Sequence, residues 1–253
     1  MPMSSTNVSI PHRSAAAADA LLAAGMNGMG SPGAARDAAR LMEAPALSVR
    51  ELHASRGGRA LFDSLDLALA PGEIVWLRGH NGRGKTSLLR LIAGLARPEG
   101  GELLLDGCAP ALLAQRTRRL VYVAHANALK DDLSVAEALE FLLCIHGRAA
   151  DRASVAAALD YWGMAGQARS LVRRLSQGQR RRVALARLAA ERDASLWLLD
   201  EPFDALDTDG VQRLVALLER HLQRGGSVLL TGHQAAPESS LRIRELDLDA
   251  RAS

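Results

Sequence analysis

The sequence is poor in aromatic residues: three Trp, two Tyr and three Phe make up only 3% of its 253 residues. Proteins that bind RNA or single-stranded DNA stack the bases on aromatic side chains, so this scarcity argues against nucleic acid as a partner. Hydrophobic residues nevertheless make up 48% of the chain, which is ordinary for a globular protein. The core must therefore be mainly aliphatic.

Long apolar runs and cysteines are also scarce. No run approaches the ~18 residues that a transmembrane helix needs. The two cysteines, Cys108 and Cys144, are too few for a disulfide framework or a metal cluster, and we expect both to be reduced. Cys144 lies close to His146, but a buried helical cysteine explains this spacing better than a haem site does. The net charge of +3 permits an acidic partner and requires none.

The first 44 residues differ in composition from the rest of the chain. They are rich in Ala, Ser, Gly and Met and contain no aromatic residue. Such a segment cannot bury enough apolar surface to fold, so we predict a disordered, non-functional extension over residues 1–44. Met42 offers an alternative translation start that would remove most of it.

From Pro45 onward, strand and helix patterns alternate. Alternating or continuous apolar residues predict strands over 46–52, 61–69, 74–77, 103–105, 121–123, 196–199 and 228–230, and an edge strand over 241–248. Helical spacing predicts helices over 85–95 and 210–222 and a helical region between 133 and 174, with Ser134 and Asp151 as N-caps. The sequence therefore predicts an α/β domain over 45–253, with a helical insert over about 126–172.

A glycine-rich loop lies between the strand at 74–77 and the helix that starts at Lys85. It fits the G-x-x-x-x-G-K-[ST] pattern at every fixed position, and its candidate phosphate-binding residues are Gly79, His80, Asn81, Gly82, Arg83, Gly84, Lys85, Thr86 and Ser87. Glycines let backbone N–H groups converge on phosphate oxygens above a helix N-terminus. We expect Lys85 to bridge the β- and γ-phosphates and the Thr86 hydroxyl to ligate Mg²⁺.

Two consecutive carboxylates, Asp200 and Glu201, follow the buried strand at 196–199. Ligands of open α/β sheets bind at this carboxyl end of the strands. We expect Asp200 to hold Mg²⁺ through water, and Glu201 to polarise the attacking water, either as a general base or by orienting it. Together with the phosphate loop, this pair predicts a nucleoside triphosphatase.

Three further segments resemble the motifs of the ATP-binding cassette (ABC) ATPase family. The first resembles its signature motif, the second its D-loop, and the third, at His233, its switch histidine. The signature residues are Ser176, Gln177, Gly178 and Gln179, and the D-loop residues are Asp204, Ala205, Leu206 and Asp207. With the phosphate loop and the carboxylates, five motifs stand in family order over residues 46–248.

The resemblance implies a P-loop NTPase fold of the ABC type, with a small antiparallel β subdomain and an α-helical subdomain. It implies that the chain uses ATP with Mg²⁺, and that Lys85, Glu201 and His233 are catalytic. It also implies a head-to-tail dimer with a second copy, in which the signature motif closes over the other copy's γ-phosphate. The basic run Arg180–Arg182 after the signature motif indicates a solvated helix start rather than a nucleic-acid site.

Four positions depart from the family's pattern. His125 stands where the family has the Q-loop glutamine, which senses Mg²⁺ and the membrane partner. Asp204 stands where Ser is common, and Gln177 replaces the first glycine of the signature motif. Arg56 takes the place of the aromatic residue that stacks on adenine, where a cation–π contact could replace it. Specificity for ATP therefore rests on the resemblance.

His125, the signature helix and the stretch 203–211 resemble one subfamily in particular, the ATP-binding subunit of the cytochrome c maturation haem exporter. This resemblance implies a peripheral subunit on the cytoplasmic face of a bacterial inner membrane. It would bind integral membrane permease subunits and couple ATP hydrolysis to haem export or haem delivery. The alternatives are the ATPase subunit of a transporter for another small solute, a soluble non-transport cassette protein, and a regulator that barely hydrolyses nucleotide.

Overall fold

The computed structural model describes residues 46–107, 120–233 and 241–250. The extension predicted over 1–44, the alternative start at Met42 and Cys108 lie outside these residues. The strands are β1 (Leu47–Arg56), β2 (Arg59–Leu69), β3 (Ile74–Arg78), β4 (Gly100–Leu105), β5 (Leu120–Val123), β6 (Leu196–Leu199), β7 (Ser227–Thr231) and β8 (Ile243–Asp247). The α-helices are α1 (Lys85–Ile92), α2 (Val135–Ile145), α3 (Arg152–Tyr161), α4 (Gln177–Ala189) and α5 (Thr208–Gln223), with 3₁₀ turns at Ala165–Gln167 and Val172–Arg174.

The strands form two sheets, one parallel and one antiparallel. The parallel sheet has the order β5-β6-β7-β3-β8, and β8 is an edge strand, as the sequence predicts. Its inner strands β3, β6 and β7 are continuous apolar runs that are almost wholly buried. This is the pattern expected of parallel strands that are covered on both faces. The smaller sheet, β2-β1-β4, is antiparallel, and it matches the small β subdomain that the family resemblance implies.

Opposite faces of the parallel sheet pack into different apolar clusters. On β3, Ile74 and Trp76 face the cluster that includes α2, α3, α4 and α5, whereas Val75 and Leu77 face α1 and the antiparallel sheet. Alternate side chains of a strand point to opposite faces, so one short strand contributes to both layers. The phosphate loop, which leaves the end of β3, is thereby anchored on a strand buried from both sides.

Both N-caps predicted for the helical region are present. Ser134 caps α2 in a capping box with Glu137, and the Asp151 carboxylate caps α3 by accepting hydrogen bonds from Ala153 N and Ser154 N, both at 3.0 Å. Helix α1 ends at Ile92, three residues earlier than predicted, because Gly94 adopts a φ of +71° that ends the helix. No helix in the described ranges is long and apolar enough to cross a membrane.

The expectation of a buried cysteine in α2 is wrong. Cys144 is exposed, on the same stretch of surface as the exposed Ile145. The neighbouring His146 turns inward instead, where its Nε2 lies 2.8 Å from Arg187 Nη1. Cys144 and His146 are close in the sequence, but the helix directs their side chains to different surroundings.

A buried histidine at the end of α5 connects this helix to the central sheet. The His221 Nε2 group donates a hydrogen bond of 2.8 Å to Ser195 O, and the ring stacks on Trp197 with centroids 3.7 Å apart. The side chain is fully buried, and this burial lowers its pKa to about 4. His221 is therefore protonated below about pH 6.5 in the unfolded chain, but only near pH 4 in the folded chain.

This difference predicts that the protein loses stability on acidification, partly through His221. Stability rises with pH wherever the unfolded state binds more protons. When the pH falls from 7 to 5, the unfolding free energy of the unmodified chain should decrease. The decrease in His221→Gln should be smaller by about 1–2 kcal/mol. Urea unfolding at the two pH values measures this, and equal losses in both proteins would contradict the assignment.

Candidate functional site

Three glycines of the phosphate loop have backbone conformations that other residues rarely adopt. Gly79, Gly82 and Gly84 have φ angles of +138°, +81° and +99°. A Cβ atom on Gly84 would also lie 2.8 Å from the Phe62 ring, so this position tolerates no side chain. The loop borders a pocket lined by Arg56, Leu61, His80, Asn81, Gly82, Arg83, Gly84, Lys85, Thr86, Ser87 and Glu201. The structure thus places Arg56 and Glu201 beside the predicted phosphate-binding residues.

The ammonium group of Lys85 lies inside the phosphate loop. Its Nζ donates hydrogen bonds to Gly79 O and, at 3.2 Å, to His80 O. The residue is only 6% exposed. The loop carbonyls therefore hold a positive charge at the centre of the loop, where a phosphate group could take it over.

The phosphate loop is hydrogen-bonded to the segment that follows β8. His80 N donates a hydrogen bond of 2.8 Å to the Asp249 carboxylate, and Arg83 Nε donates one of 3.1 Å to Leu248 O. The hydrogen bond from His80 N is the main reason why the pKa of Asp249 is lowered. The sequence did not predict a role for Asp249, because nothing in the local pattern links this residue to the loop.

Asp200 is buried at the end of β6, where two threonine hydroxyls bind it. Thr86 Oγ1 donates a hydrogen bond of 2.9 Å to Asp200 Oδ2, and Thr231 Oγ1 donates one of 2.8 Å to Oδ1. Thr231 Oγ1 also accepts a hydrogen bond from Glu201 N. The Thr86 hydroxyl and the Asp200 carboxylate are hard oxygen ligands in contact, as a Mg²⁺ site requires. Thr231 was missed, although its position at the end of a buried strand was a usable signal.

Glu201 lies between two imidazole rings. Its Oε2 atom is 3.0 Å from His125 Nδ1, and its Oε1 atom contacts His233 Nε2. The Glu201 backbone has a φ of +49°, which is unfavourable for a residue with a side chain and is found at functional sites. The structure therefore brings together three residues that the sequence analysis selected from three separate segments.

Arg181 corrects the expectation that the basic run at 180–182 is a solvated helix start. Arg181 is only 3% exposed, and burial lowers its pKa despite the nearby carboxylates. Its guanidinium group donates hydrogen bonds to four oxygens: Ala124 O, Asn127 Oδ1, Asp200 O and Glu201 O. Arg181 thus fixes the backbone that carries both carboxylates and also the segment that carries His125.

The signature and D-loop segments lie against each other. Ser176 caps α4 in a capping box with Gln179, while Gln177 and Gly178 form the first turn of that helix. A Cβ atom on Gly178 would lie 2.8 Å from Ala205 O, so this glycine permits the close contact. Among the described residues that line the phosphate-loop pocket, none comes from 176–179. One copy of the chain therefore does not bring its signature motif to its own phosphate loop.

The D-loop residues extend from Glu201 to α5. Asp204, Ala205 and Leu206 line a small pocket that also includes Glu201 and His233. Asp207 caps α5 by accepting a hydrogen bond of 2.9 Å from Gly210 N. Its pKa is lowered, first by the hydrogen bond from Arg182 and then by that from Gly210 N. The two ends of this short segment thus have different partners, the candidate site and the helix.

Comparisons with known proteins identify relatives of this chain. The model of the ABC transporter family matches residues 62–204, which is more than half of the chain. The cytochrome c biogenesis ATP-binding export protein CcmA of Albidiferax ferrireducens is 45% identical over 207 residues, which cover 81% of this chain and 98% of that protein. The protein of the same name from Xanthomonas campestris is 44% identical over 208 residues, covering 82% and 96%.

A solved structure of another ATP-binding cassette has the same fold. It is described as a dimeric, post-hydrolysis state bound to ADP and Pi, and it superposes with a TM-score of 0.64 at 25% identity. The match covers 74% of this chain and 88% of that one. The α/β nucleotide-binding fold expected from the motifs is therefore confirmed.

The buried guanidinium of Arg181 leads to a prediction about stability. Arg181→Met should lower the unfolding free energy by about 3 kcal/mol, because four oxygens lose their donor inside the protein. Arg180→Met is the matched control, since Arg180 forms only a partly exposed ion pair of 2.7 Å with Asp131. That variant should lose less than about 1 kcal/mol.

Urea unfolding of both variants, followed by circular dichroism, tests this difference. Equal losses in the two variants would show that Arg181 does not hold the site together.

Proposed function

This chain belongs to the ABC transporter family as an ATPase of the CcmA type, and we propose that it is the ATP-hydrolysing subunit of a bacterial complex that exports or delivers haem during the biogenesis of c-type cytochromes. The observation that carries the proposal is the contact network around Asp200 and Glu201. It connects the phosphate loop through Thr86, the end of β7 through Thr231, and the two histidines through the Glu201 carboxylate.

The phosphate loop would bind the triphosphate of ATP. Lys85 Nζ, which the carbonyls of Gly79 and His80 hold within the loop, would move onto the β- and γ-phosphates. Backbone N–H groups from His80 to Ser87 and the N-terminus of α1 would surround the remaining oxygens. Arg56 lines the same pocket and is the candidate for stacking on the adenine ring.

The Thr86 hydroxyl and the Asp200 carboxylate would hold Mg²⁺, Asp200 through a water molecule. Their hydrogen bond of 2.9 Å shows that the two oxygens already converge. The bound ion would neutralise charge that builds up on the β- and γ-phosphate oxygens. Thr231 would keep the Asp200 carboxylate oriented toward the ion through its own bond of 2.8 Å.

Glu201 would orient and deprotonate the water that attacks the γ-phosphate. Its carboxylate is mostly shielded, with 16% of the side chain exposed, and it lines the same pocket as the phosphate loop. His233 contacts one carboxylate oxygen and would contact the γ-phosphate in the bound state. A positioned carboxylate of this kind contributes rate factors of about 10²–10⁴.

Two copies of the chain would share each nucleotide. The signature residues Ser176 and Gly178 stand at the exposed start of α4, away from the phosphate loop of their own chain. A helix N-terminus with a serine cap binds anions, so this surface suits the γ-phosphate held by a second copy. The dimeric, nucleotide-bound state of the related cassette structure supports this arrangement.

The membrane partner would contact the helical insert near His125. The insert starts after β5, so its first residues adjoin the Glu201 site, and Arg181 joins the two through Ala124 O and Asn127 Oδ1. Movement of the partner would thus reach the catalytic carboxylate over a short path. The names of the CcmA relatives support an export role in cytochrome c biogenesis, and from this we place the chain at the cytoplasmic face of the inner membrane, with permease subunits.

Replacing Glu201 tests the catalytic assignment and the dimer together. Glu201→Gln should lower ATP turnover by at least about 100-fold, because the amide cannot accept the proton of water. It should also accumulate as an ATP-bound dimer, which light scattering after size exclusion detects. Adding Lys85→Ala to this variant removes a phosphate contact and should abolish the dimer. A Glu201→Gln protein that stays monomeric with ATP would refute the shared-nucleotide arrangement.

The membrane assignment has its own test. The tagged chain, expressed with the membrane proteins of its source organism, should co-purify with a membrane subunit of cytochrome c maturation, identified by mass spectrometry. Recovery with a permease for another solute would keep the ATPase assignment and refute the haem assignment. Recovery with no membrane protein, under conditions that preserve such complexes, would support a soluble cassette protein instead.

A further inference from the structure

Three side chains that differ in sequence position converge beside the predicted Mg²⁺ site. His125 follows β5, while Glu201 and Asp204 follow β6, and these two strands pair directly in the parallel sheet. One potential ligand atom from each of the three residues lies within 4.8 Å of the other two. The pairing of β5 with β6 therefore creates a cluster of one imidazole and two carboxylates.

The spacing of this cluster suits a small transition-metal ion. Zinc binds nitrogen and oxygen ligands at roughly 2.0–2.2 Å in a tetrahedron, so its ligand atoms stand about 3.3 Å apart. His125 Nδ1 and Glu201 Oε2 already lie 3.0 Å apart. The Asp204 ligand atom lies within 4.8 Å of the other two, so it would need to approach by at most about 1.5 Å to complete three protein ligands, which leaves a fourth position for water.

The local charge also favours a cation. Asp200, Glu201 and Asp204 bring three carboxylates to this corner, and Arg181 is the buried cation that acts on all three. The four hydrogen bonds of Arg181 go to backbone carbonyls of Asp200 and Glu201 and to oxygens of the 124–127 segment. They do not pair with the Glu201 carboxylate, whose oxygens contact His125 and His233 instead. One guanidinium thus offsets only part of the negative charge.

The ligand types point away from magnesium. An imidazole nitrogen is a good ligand for zinc and its neighbours in the first transition row, whereas Mg²⁺ prefers oxygen. His125 supplies such a nitrogen, and a ligand atom of Asp204 lies within 4.8 Å both of it and of a Glu201 oxygen.

We propose that His125, Glu201 and Asp204 form a binding site for a divalent transition-metal ion of the zinc type, and that occupancy of this site inhibits ATP hydrolysis. The inhibition rests on the proposed function, because it requires Glu201 to be the general base. Bound metal takes the carboxylate oxygens that would otherwise accept a proton from water. The phosphate loop remains free, so the metal lowers kcat and leaves the KM for ATP nearly unchanged.

Metal binding is tested first on the nucleotide-free full chain, which keeps the result independent of ATPase activity. Co²⁺ absorption spectra, followed by displacement with Zn²⁺, should reveal one site per chain. His125→Gln and Asp204→Ser should each weaken binding at least about 10-fold, since each removes one of three ligands. His53→Gln is the matched control, because His53 forms a comparable contact of 3.0 Å with Asp63 far along the chain from the site, and it should bind as the unmodified chain does.

The site is refuted if His125→Gln and Asp204→Ser bind the metal as tightly as the unmodified chain does. It is also refuted if the unmodified chain binds no metal while its circular dichroism spectrum shows that it is folded.

Inhibition is then measured with free Zn²⁺ held constant by a metal buffer. The concentration for half inhibition should rise at least about 10-fold in His125→Gln and stay constant in His53→Gln. If zinc binds at the site but the unmodified chain has no ATPase activity, the proposed function fails and the site stands.

Discussion

The buried guanidinium of Arg181 is the contact on which the candidate site depends. Asp200 and Glu201 follow the buried strand β6, and Glu201 has a backbone conformation that residues other than glycine rarely adopt. Such a turn persists only where its surroundings fix it. Arg181 supplies this constraint from α4, since it binds the carbonyls of both acidic residues and two oxygens of the segment that carries His125. Within one chain, Arg181 thus connects the helix α4 to the backbone of Glu201, the proposed catalytic residue.

The aliphatic core explains how a chain with few aromatic residues positions this site. Each of the three Trp residues is buried, and Leu, Val and Ile fill most of the space around the parallel sheet. The sheet is covered on both faces, so the ends of β3, β6 and β7 are fixed relative to each other. The phosphate loop, the carboxylates and Thr231 leave from those three ends, which makes the rigidity of the sheet a condition for the chemistry.

The sequence predicted most of the strands, the phosphate loop and the carboxylate pair, because each depends on residues that are close together in the chain. Lys85, Asp200 and Glu201 could be assigned from local pattern alone. Arg181 and Asp249 could not, since their partners come from distant segments and the same charges would be solvated in another fold. Cys144 was misplaced for a related reason: an α-helix of mixed composition has apolar residues on both faces, and only packing decides which face is buried.

His233 contacts the Glu201 carboxylate, and the proposed function also gives this histidine a contact with the γ-phosphate. Its Nε2 atom binds Glu201 Oε1, and the proposed contact with the γ-phosphate needs a ring nitrogen directed at the nucleotide. One nitrogen cannot serve both partners at full strength. If Nε2 is the nitrogen that turns to the nucleotide in the proposed bound state, the His233 contact is lost and His125 still contacts the other carboxylate oxygen of Glu201. A glutamine at position 125 could donate a hydrogen bond there, whereas the imidazole of His125 also offers the nitrogen ligand on which the proposed metal site depends.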